Sequence, residues 1–420
     1  VSDPAFHSRR SRRASPVRHG RLARSHPFRT LAKVLGISVV VAIVTTGSVG
    51  AFALSELDRT VTSNAVDISN GDASKTSAPA PHIGAISGGF NFLMVGTDND
   101  ANQGDAFGER DATLNDVNIL LHISADHKSG VAVSIPRDLI VSHPECTDPT
   151  TGKDYDSMSA APFNEAWERG GLGCVVATAS KLTGLDIPYA GVISFNGVIA
   201  MTDAIGGVPV CVNEAIDDPY TGLDLPAGTS TISGSTALAF LRNRHGVGDG
   251  SDLSRISAQQ SYMSSLMRTM KSASTLTDLG KLYGLARSAA SNIKLSSNLA
   301  SLDSMVAMAY ALKDVNLDNL VFVQYPGTTG DSDFPGKVVP STDTADQLMA
   351  AISSDQPFSL DANAMGNGVV ADPAAPAAPA PDATAPTDAA TPAPTTSAPA
   401  VIGGLKGQTA SAQTCAKAND

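Results

Sequence analysis

NDVNILLHISADHKSGVAVSIPRD, residues 115–138, is two apolar runs divided by one short polar turn. VNILLHIS (117–124) and GVAVSIP (130–136) have the length and composition of strands, and the turn at 125–129 predicts a hairpin. Upstream, FNFLMVG (90–96) reads as a further buried strand. Downstream, PFNEAWERGG (162–171) and CVVATASKLTG (174–184) read as helices, the second closed by Gly184. YAGVISF (189–195) then reads as a strand, NGVIAMTDAIGG (196–207) as a helix and VPVCV (208–212) as a strand. Strands alternating with helices predict an α/β fold, a mixed central sheet flanked by helices. Helical periodicity resumes over 252–273, 275–293 and 299–314, followed by a strand at 320–326 and a helix at 342–355. Met263, Met267 and Met270 fall at helical spacing and read as a core stripe.

Within this frame one segment is unusually rich in charge. AFLRNRHGVGDGSDLSRISAQQ (239–260) runs from an apolar end into Arg242 and Arg244, through a glycine-rich turn, and into a new helix. Asp252, Arg255 and Gln259 lie at i, i+3 and i+7, on one face of that helix. Guanidiniums converging on a glycine-rich turn suit a phosphate ester, since each planar fork can donate two parallel bonds. A solvated loop with local Arg–Asp pairs would use the same residues, and the segment alone does not separate the two.

Charge is segregated along the chain. Residues 1–33 hold eight arginines, one lysine and one aspartate, so subtracting +8 from the total of −12 leaves −20 on the remainder. Residues 34–54, VLGISVVVAIVTTGSVGAFAL, carry no charge over 21 positions. At about 1.5 Å per residue that length matches a hydrocarbon core of about 30 Å. Arginines before it and acids after it place the N-terminus in the cytoplasm and the rest outside the cell membrane. Cleavage near 51–53 is the alternative to this single-pass anchor. The expected organisation is a basic cytoplasmic tail (1–33), a transmembrane helix (34–54), a linker (55–88) and an extracytoplasmic domain (89–360). A Pro/Ala/Thr-rich tether (361–400) and a cysteine-bearing tail (401–420) follow. With its basic residues confined to a short cytoplasmic tail, the chain is not expected to bind nucleic acid.

Cys146, Cys174, Cys211 and Cys415 all fall in the external part, where disulfides form. Four cysteines allow three pairings. Cys146 and Cys174 flank the helix expected at 160–169, so we favour that pair, which leaves Cys211 with Cys415. That second bond would tie the tail to the domain, and a buried free thiol at Cys211 is its alternative.

Chemistry concentrates at strand ends. Gly96-Thr97-Asp98 closes the first strand, Asn115-Asp116 opens the second, and Ser134-Ile135-Pro136-Arg137-Asp138 closes the third. Two carboxylates among several arginines are the ingredients of a magnesium–pyrophosphate site. Turn-capping aspartates and an exposed Arg137–Asp138 pair are the plainer readings. His245 is a weaker candidate for a general base.

These pieces together resemble the LytR-CpsA-Psr proteins, which attach polyprenyl-linked glycopolymers to the bacterial cell wall. The resemblance rests on GTD (96–98), NDVNILLHIS (115–124), SIPRD (134–138), FNGVIAMTDAIGGVPVCV (195–212) and ALAFLRNRHGVGDGSDLSRISAQQ (237–260). The details are similar to actinobacterial members. The resemblance implies a hydrophobic groove for the polyprenyl tail with a pyrophosphate site at its mouth. It implies Asp98 and Asp116 as ligands of Mg2+ or Mn2+, and a catalytic set of Arg137, Arg242, Arg244 and Asp116. Arg255, Gln259, Asp138 and Asp252 would complete substrate binding. Peptidoglycan would be the acceptor and polyprenyl phosphate the leaving group, with pyrophosphatase activity as a side reaction. A non-catalytic lipid-phosphate adaptor and a transcriptional attenuator are the competing functions. Asn99, Leu114 and Ala258 stand where the family often has arginine.

Overall fold

The expected hairpin forms. β2 (Asn115–Ile123) and β3 (Gly130–Ser134) pair antiparallel, with Ile119 opposite Ser134 and Ile123 opposite Gly130. β1 (Phe90–Thr97) lies antiparallel on the other side of β2 and parallel to Tyr189–Ser194. The sheet has seven strands in the order Ile293–Leu295, Tyr189–Ser194, β1, β2, β3, Leu320–Gln324, Gly407–Thr409. It is mixed, as expected. The coordinates are a computed structural model describing residues 55–69, 88–98, 113–272, 278–375 and 399–419. The basic tail, the apolar span at 34–54 and most of the tether lie outside the described residues. Among the described residues no helix is long and apolar enough to cross a membrane.

Strand alternation sorts the side chains into two cores. Leu93, Val95, Leu120 and Val133 pack against the helices Gly171–Thr183 and Thr342–Ser353. On the other face Phe90, Ala132, Tyr189 and Phe322 pack with Ala290 and Ala311 of the helices Leu279–Asn292 and Leu302–Lys313. A third core lies beneath a four-stranded sheet ordered Gly228–Ile232, Val208–Val212, Thr414–Ala416, Val369–Ala371. Helices Gly234–Arg242 and Asp252–Lys271 contribute Phe240, Ala258 and Tyr262 to it.

Several boundaries need correction. Residues 56–63 are helical rather than linker, and bury Leu57 and Val61 in the second core. The tail is no spacer: Gly407–Thr409 completes the main sheet and Thr414–Ala416 enters the second. Val369–Ala371, inside the expected tether, pairs with it. The segment Phe163–Arg169 is a 3-10 helix, and the following α-helix starts at Gly171, before Cys174.

Both favoured disulfides are present. Cys146–Cys174 closes a 28-residue separation with Cα atoms 5.8 Å apart. Cys211 and Cys415 are register partners on parallel strands, Cα atoms 4.4 Å apart.

Candidate functional site

A cavity of about 270 Å³ opens between one face of the main sheet and three helices, Phe195–Ile205, Gly234–Arg242 and Asp252–Lys271. Its wall is almost wholly apolar, built by Met94, Ile119, Val198, Leu238, Met263 and Leu266 among others. Gly96 belongs to that wall for a steric reason: a Cβ there would stand 3.0 Å from the Cβ of Val117 on the paired strand. The methionine stripe is therefore divided. Met263 and Met267 touch the second core, while Met263 and Met270 also face the cavity.

Charge gathers at one end. Asp116, Arg242, Arg255 and Gln259 line the cavity. A β-bulge at Gly96/Thr97 throws Asp116 out of register, leaving it at the same strand ends as Asp98. Arg137 Nη1 donates to Asp116 Oδ1 at 2.7 Å, and its Nε lies 3.6 Å from Asp138 and 4.0 Å from Asp252. Burial disfavours the Arg137 charge, but these carboxylates outweigh it and raise its pKa above the ordinary value. Asp138 also receives Lys337 Nζ at 2.7 Å. Its own burial works the other way, yet Lys337, Arg137 and Arg244 hold its pKa below normal. Arg255 pairs with Asp252 at 2.5 Å, one turn back on the same helix, and its Nη2 donates to the Asp116 carbonyl at 3.3 Å.

Arg242 and Arg244 are held differently. The Arg242 guanidinium lies over the Phe195 ring, 4.6 Å from its centre. Arg244 Nε donates to the Gly250 carbonyl at 2.8 Å, so the turn carries its own arginine. Gln259 Nε2 donates to the Leu241 carbonyl at 2.7 Å and ties the two helices together. The turn is held from outside by the tail. Gly248 N donates to the Lys417 carbonyl at 2.9 Å, and Asn419 Nδ2 to the His245 carbonyl at 2.8 Å. Gly248 has φ +55°, and a Cβ there would fall 2.5 Å from Ser254 Oγ.

Of the sequence candidates, Asp116, Arg242, Arg255 and Gln259 reach the cavity wall, whereas Arg137, Asp138 and Asp252 form the ion-paired layer behind Asp116. Asp98 is 1% exposed and its Oδ1 accepts the Leu114 amide at 2.9 Å. The ring of His245 sits on Tyr220, 4.5 Å between centres, and does not line the cavity, so it is no base for this site. Position 258 is core, since Ala258 is 1% exposed, and Asn99 lies outside the described residues. Sequence reading missed Lys337 and Phe195. Lys337 is 199 positions from the carboxylate it neutralises, and no local pattern announces such a pair.

The oxygen-rich bulge fits a hard divalent cation in its donor chemistry, as magnesium accepts one or two carboxylates plus phosphate oxygens. Among the described residues the one cluster of three potential ligands is Cys211, Asp372 and Cys415, whose two sulfurs are already bonded to each other.

Comparison with known proteins gives a consistent picture. The LytR_cpsA_psr family model matches residues 52–352. The chain is 30% identical over 282 residues to the cell wall biosynthesis protein LcpA of Corynebacterium glutamicum, covering 61% of this chain and 54% of LcpA. It is 24% identical over 314 residues to the polyisoprenyl-teichoic acid–peptidoglycan teichoic acid transferase TagT of Bacillus subtilis, covering 73% of this chain and 90% of TagT. The chain thus spans about half the length of its Corynebacterium relatives, 54% of LcpA and 53% of LcpB. A solved structure of TagT bound to LIIa-WTA aligns with a TM-score of 0.49 at 21% identity, over 69% of this chain and 98% of that one.

Proposed function

The chain belongs to the LytR-CpsA-Psr family, and on that premise we propose that it is a membrane-anchored, extracytoplasmic phosphotransferase. It moves a glycopolymer from a polyprenyl diphosphate carrier to peptidoglycan. The observation that carries this reading is the cavity itself, apolar along its walls and charged at one end by Asp116, Arg242 and Arg255. An apolar chain with a diphosphate head has that same division.

The polyprenyl tail occupies the apolar part, where each buried methylene contributes about 0.8 kcal/mol. The diphosphate meets Arg242, Arg244 and Arg255 at the rim. A peptidoglycan hydroxyl attacks the sugar-side phosphorus, the bond to the bridging oxygen breaks, and polyprenyl phosphate leaves. The charge on the leaving phosphate is what the arginines stabilise, and such electrostatic terms dominate phosphoryl transfer. Asp116 is the one carboxylate on the described wall, so we assign the hydroxyl proton to it. Arg137 holds Asp116 Oδ1 and so fixes that carboxylate. Asp98 and Asp116 would hold a magnesium or manganese ion, which would neutralise phosphate charge.

The test is reconstituted transfer from a polyprenyl diphosphate-linked glycopolymer to peptidoglycan. Release of one polyprenyl phosphate per polymer attached is expected. Tight donor binding with no product would instead identify a lipid-phosphate adaptor.

A further inference from the structure

A second cavity backs onto the first. It has a volume of about 380 Å³ and is lined by Trp167, Asp148, Thr150, Ser194 and Lys294, with Thr97. Strand alternation explains the arrangement. On Tyr189–Ser194, Ile193 faces the apolar cavity while Val192 and Ser194 face this one. On Ile293–Leu295, Ile293 faces the apolar cavity and Lys294 the other. The two cavities thus occupy opposite faces of one sheet edge, and Thr97, at the end of β1, lines both.

The chemistry of this second cavity is mixed where the first is apolar. Trp167 is half-buried, packed against the first core on one side and lining the cavity on another. Asp148 is locked in place: its Oδ1 accepts the Thr150 amide at 2.8 Å and its Oδ2 the Thr151 hydroxyl at 2.6 Å. Each carboxylate oxygen retains a further lone pair for a hydroxyl donor. Lys294 is exposed at the rim. An indole face beside a fixed carboxylate, a threonine hydroxyl and an ammonium is suited to a pyranose, which offers an apolar C–H face and a ring of hydroxyls.

We propose that this cavity is the acceptor subsite, binding one or two sugar units of the peptidoglycan strand and presenting a hydroxyl at the Thr97 end. The inference rests on the transferase reading. A two-substrate transferase needs two sites that converge on one reacting atom, and the shared Thr97 edge supplies the convergence. The same sugar chemistry is present on the glycopolymer donor, so the test must separate acceptor from donor.

The chain has a single tryptophan, so emission excited selectively at the indole rather than at its seven tyrosines reports on the Trp167 wall of this cavity. The full chain in detergent is titrated with a soluble peptide-free peptidoglycan tetrasaccharide, and in parallel with a short-chain polyprenyl diphosphate saccharide. Saturable change in emission with the tetrasaccharide alone is expected. Lys294→Glu, an exposed change that leaves the cores intact, should weaken that binding about tenfold and raise the acceptor KM while leaving the donor KM and polyprenyl phosphate binding unchanged. Flat emission with the tetrasaccharide overturns the subsite, as does a response confined to the lipid-linked sugar. A normal tetrasaccharide response in a protein that never turns over donor would remove the transferase reading and overturn the acceptor role with it, leaving only a saccharide-binding cavity.

Discussion

Four arginines that look alike in sequence divide by their partners. Arg137 and Arg255 are committed to Asp116 and Asp252, whereas Arg242 stacks on Phe195 and Arg244 bonds a backbone carbonyl. Arg242→Ala and Arg244→Ala should each lower kcat by roughly 10²–10³ with thermal midpoints near wild type. Activity retained in both would contradict their place at the diphosphate. Arg137→Ala should behave otherwise, because Asp116, Asp138 and Asp252 would then face one another without it. A loss of roughly 1–3 kcal/mol is expected by urea titration, below the figure for a fully buried pair since Arg137 is partly exposed. Turnover should also cease in excess chelator and return with magnesium or manganese; undiminished rates would remove the metal role from Asp98 and Asp116. Asp249 offers a pH signature. Burial raises its pKa, but bonds from Ser251 and Ser254 bring it down to about 2 from 3.8. Its folded pKa lies below the unfolded one, so its stabilising contribution is complete above about pH 4 and is lost as pH falls toward 2. The stability gap between wild type and Asp249→Asn should therefore close across that window in thermal melts. Asp116, Arg255 and Gln259 were legible because strand ends and helix spacing place them; Arg242 was legible from its charge-rich segment, though not the helix Gly234–Arg242 that carries it. Lys337 and Phe195 were not, since each meets its partner only through the tertiary fold.

At the level of elements, the hairpin and its flanking strands could be read from apolar runs and turn composition alone. Helix ends were legible to within a few residues, and Ser251 caps the arginine helix through its bond from the Ser254 amide. The tail could not be read as structure. Gly407–Thr409 and Thr414–Ala416 are three residues each, too short to show a period, and their pairing depends on partners far away in sequence. Only Cys415 signalled the return. Just beyond that strand the Lys417 carbonyl accepts from the Gly248 amide and Asn419 donates to the His245 carbonyl, so the tail is part of the arginine turn's support. Cys415→Ser should lower stability by about 2–4 kcal/mol, and equal denaturation midpoints for the variant and the parent would show that the sheet holds without the bond.

The whole molecule joins two requirements that one surface rarely meets: a long apolar chain must be sheltered and a diphosphate must be bound at its end. Three helices, Phe195–Ile205, Gly234–Arg242 and Asp252–Lys271, form one side of the cavity and the main sheet the other, and the charged residues gather where β1 ends and β2 begins. The acidic balance of the chain outside its basic tail, −20 against +8, is consistent with these few arginines being reserved for the site rather than for a polyanionic partner. The proposed anchor and the polyprenyl substrate also belong together, since both require a bilayer. The central claim is attack on the sugar-side phosphorus, and position-specific labelling tests it. With ³²P in the sugar-side phosphate of a polyprenyl diphosphate glycopolymer, the account predicts label in the peptidoglycan product and none in the released polyprenyl phosphate. Label recovered in polyprenyl diphosphate would mean that the sugar–oxygen bond had broken instead, and would contradict it.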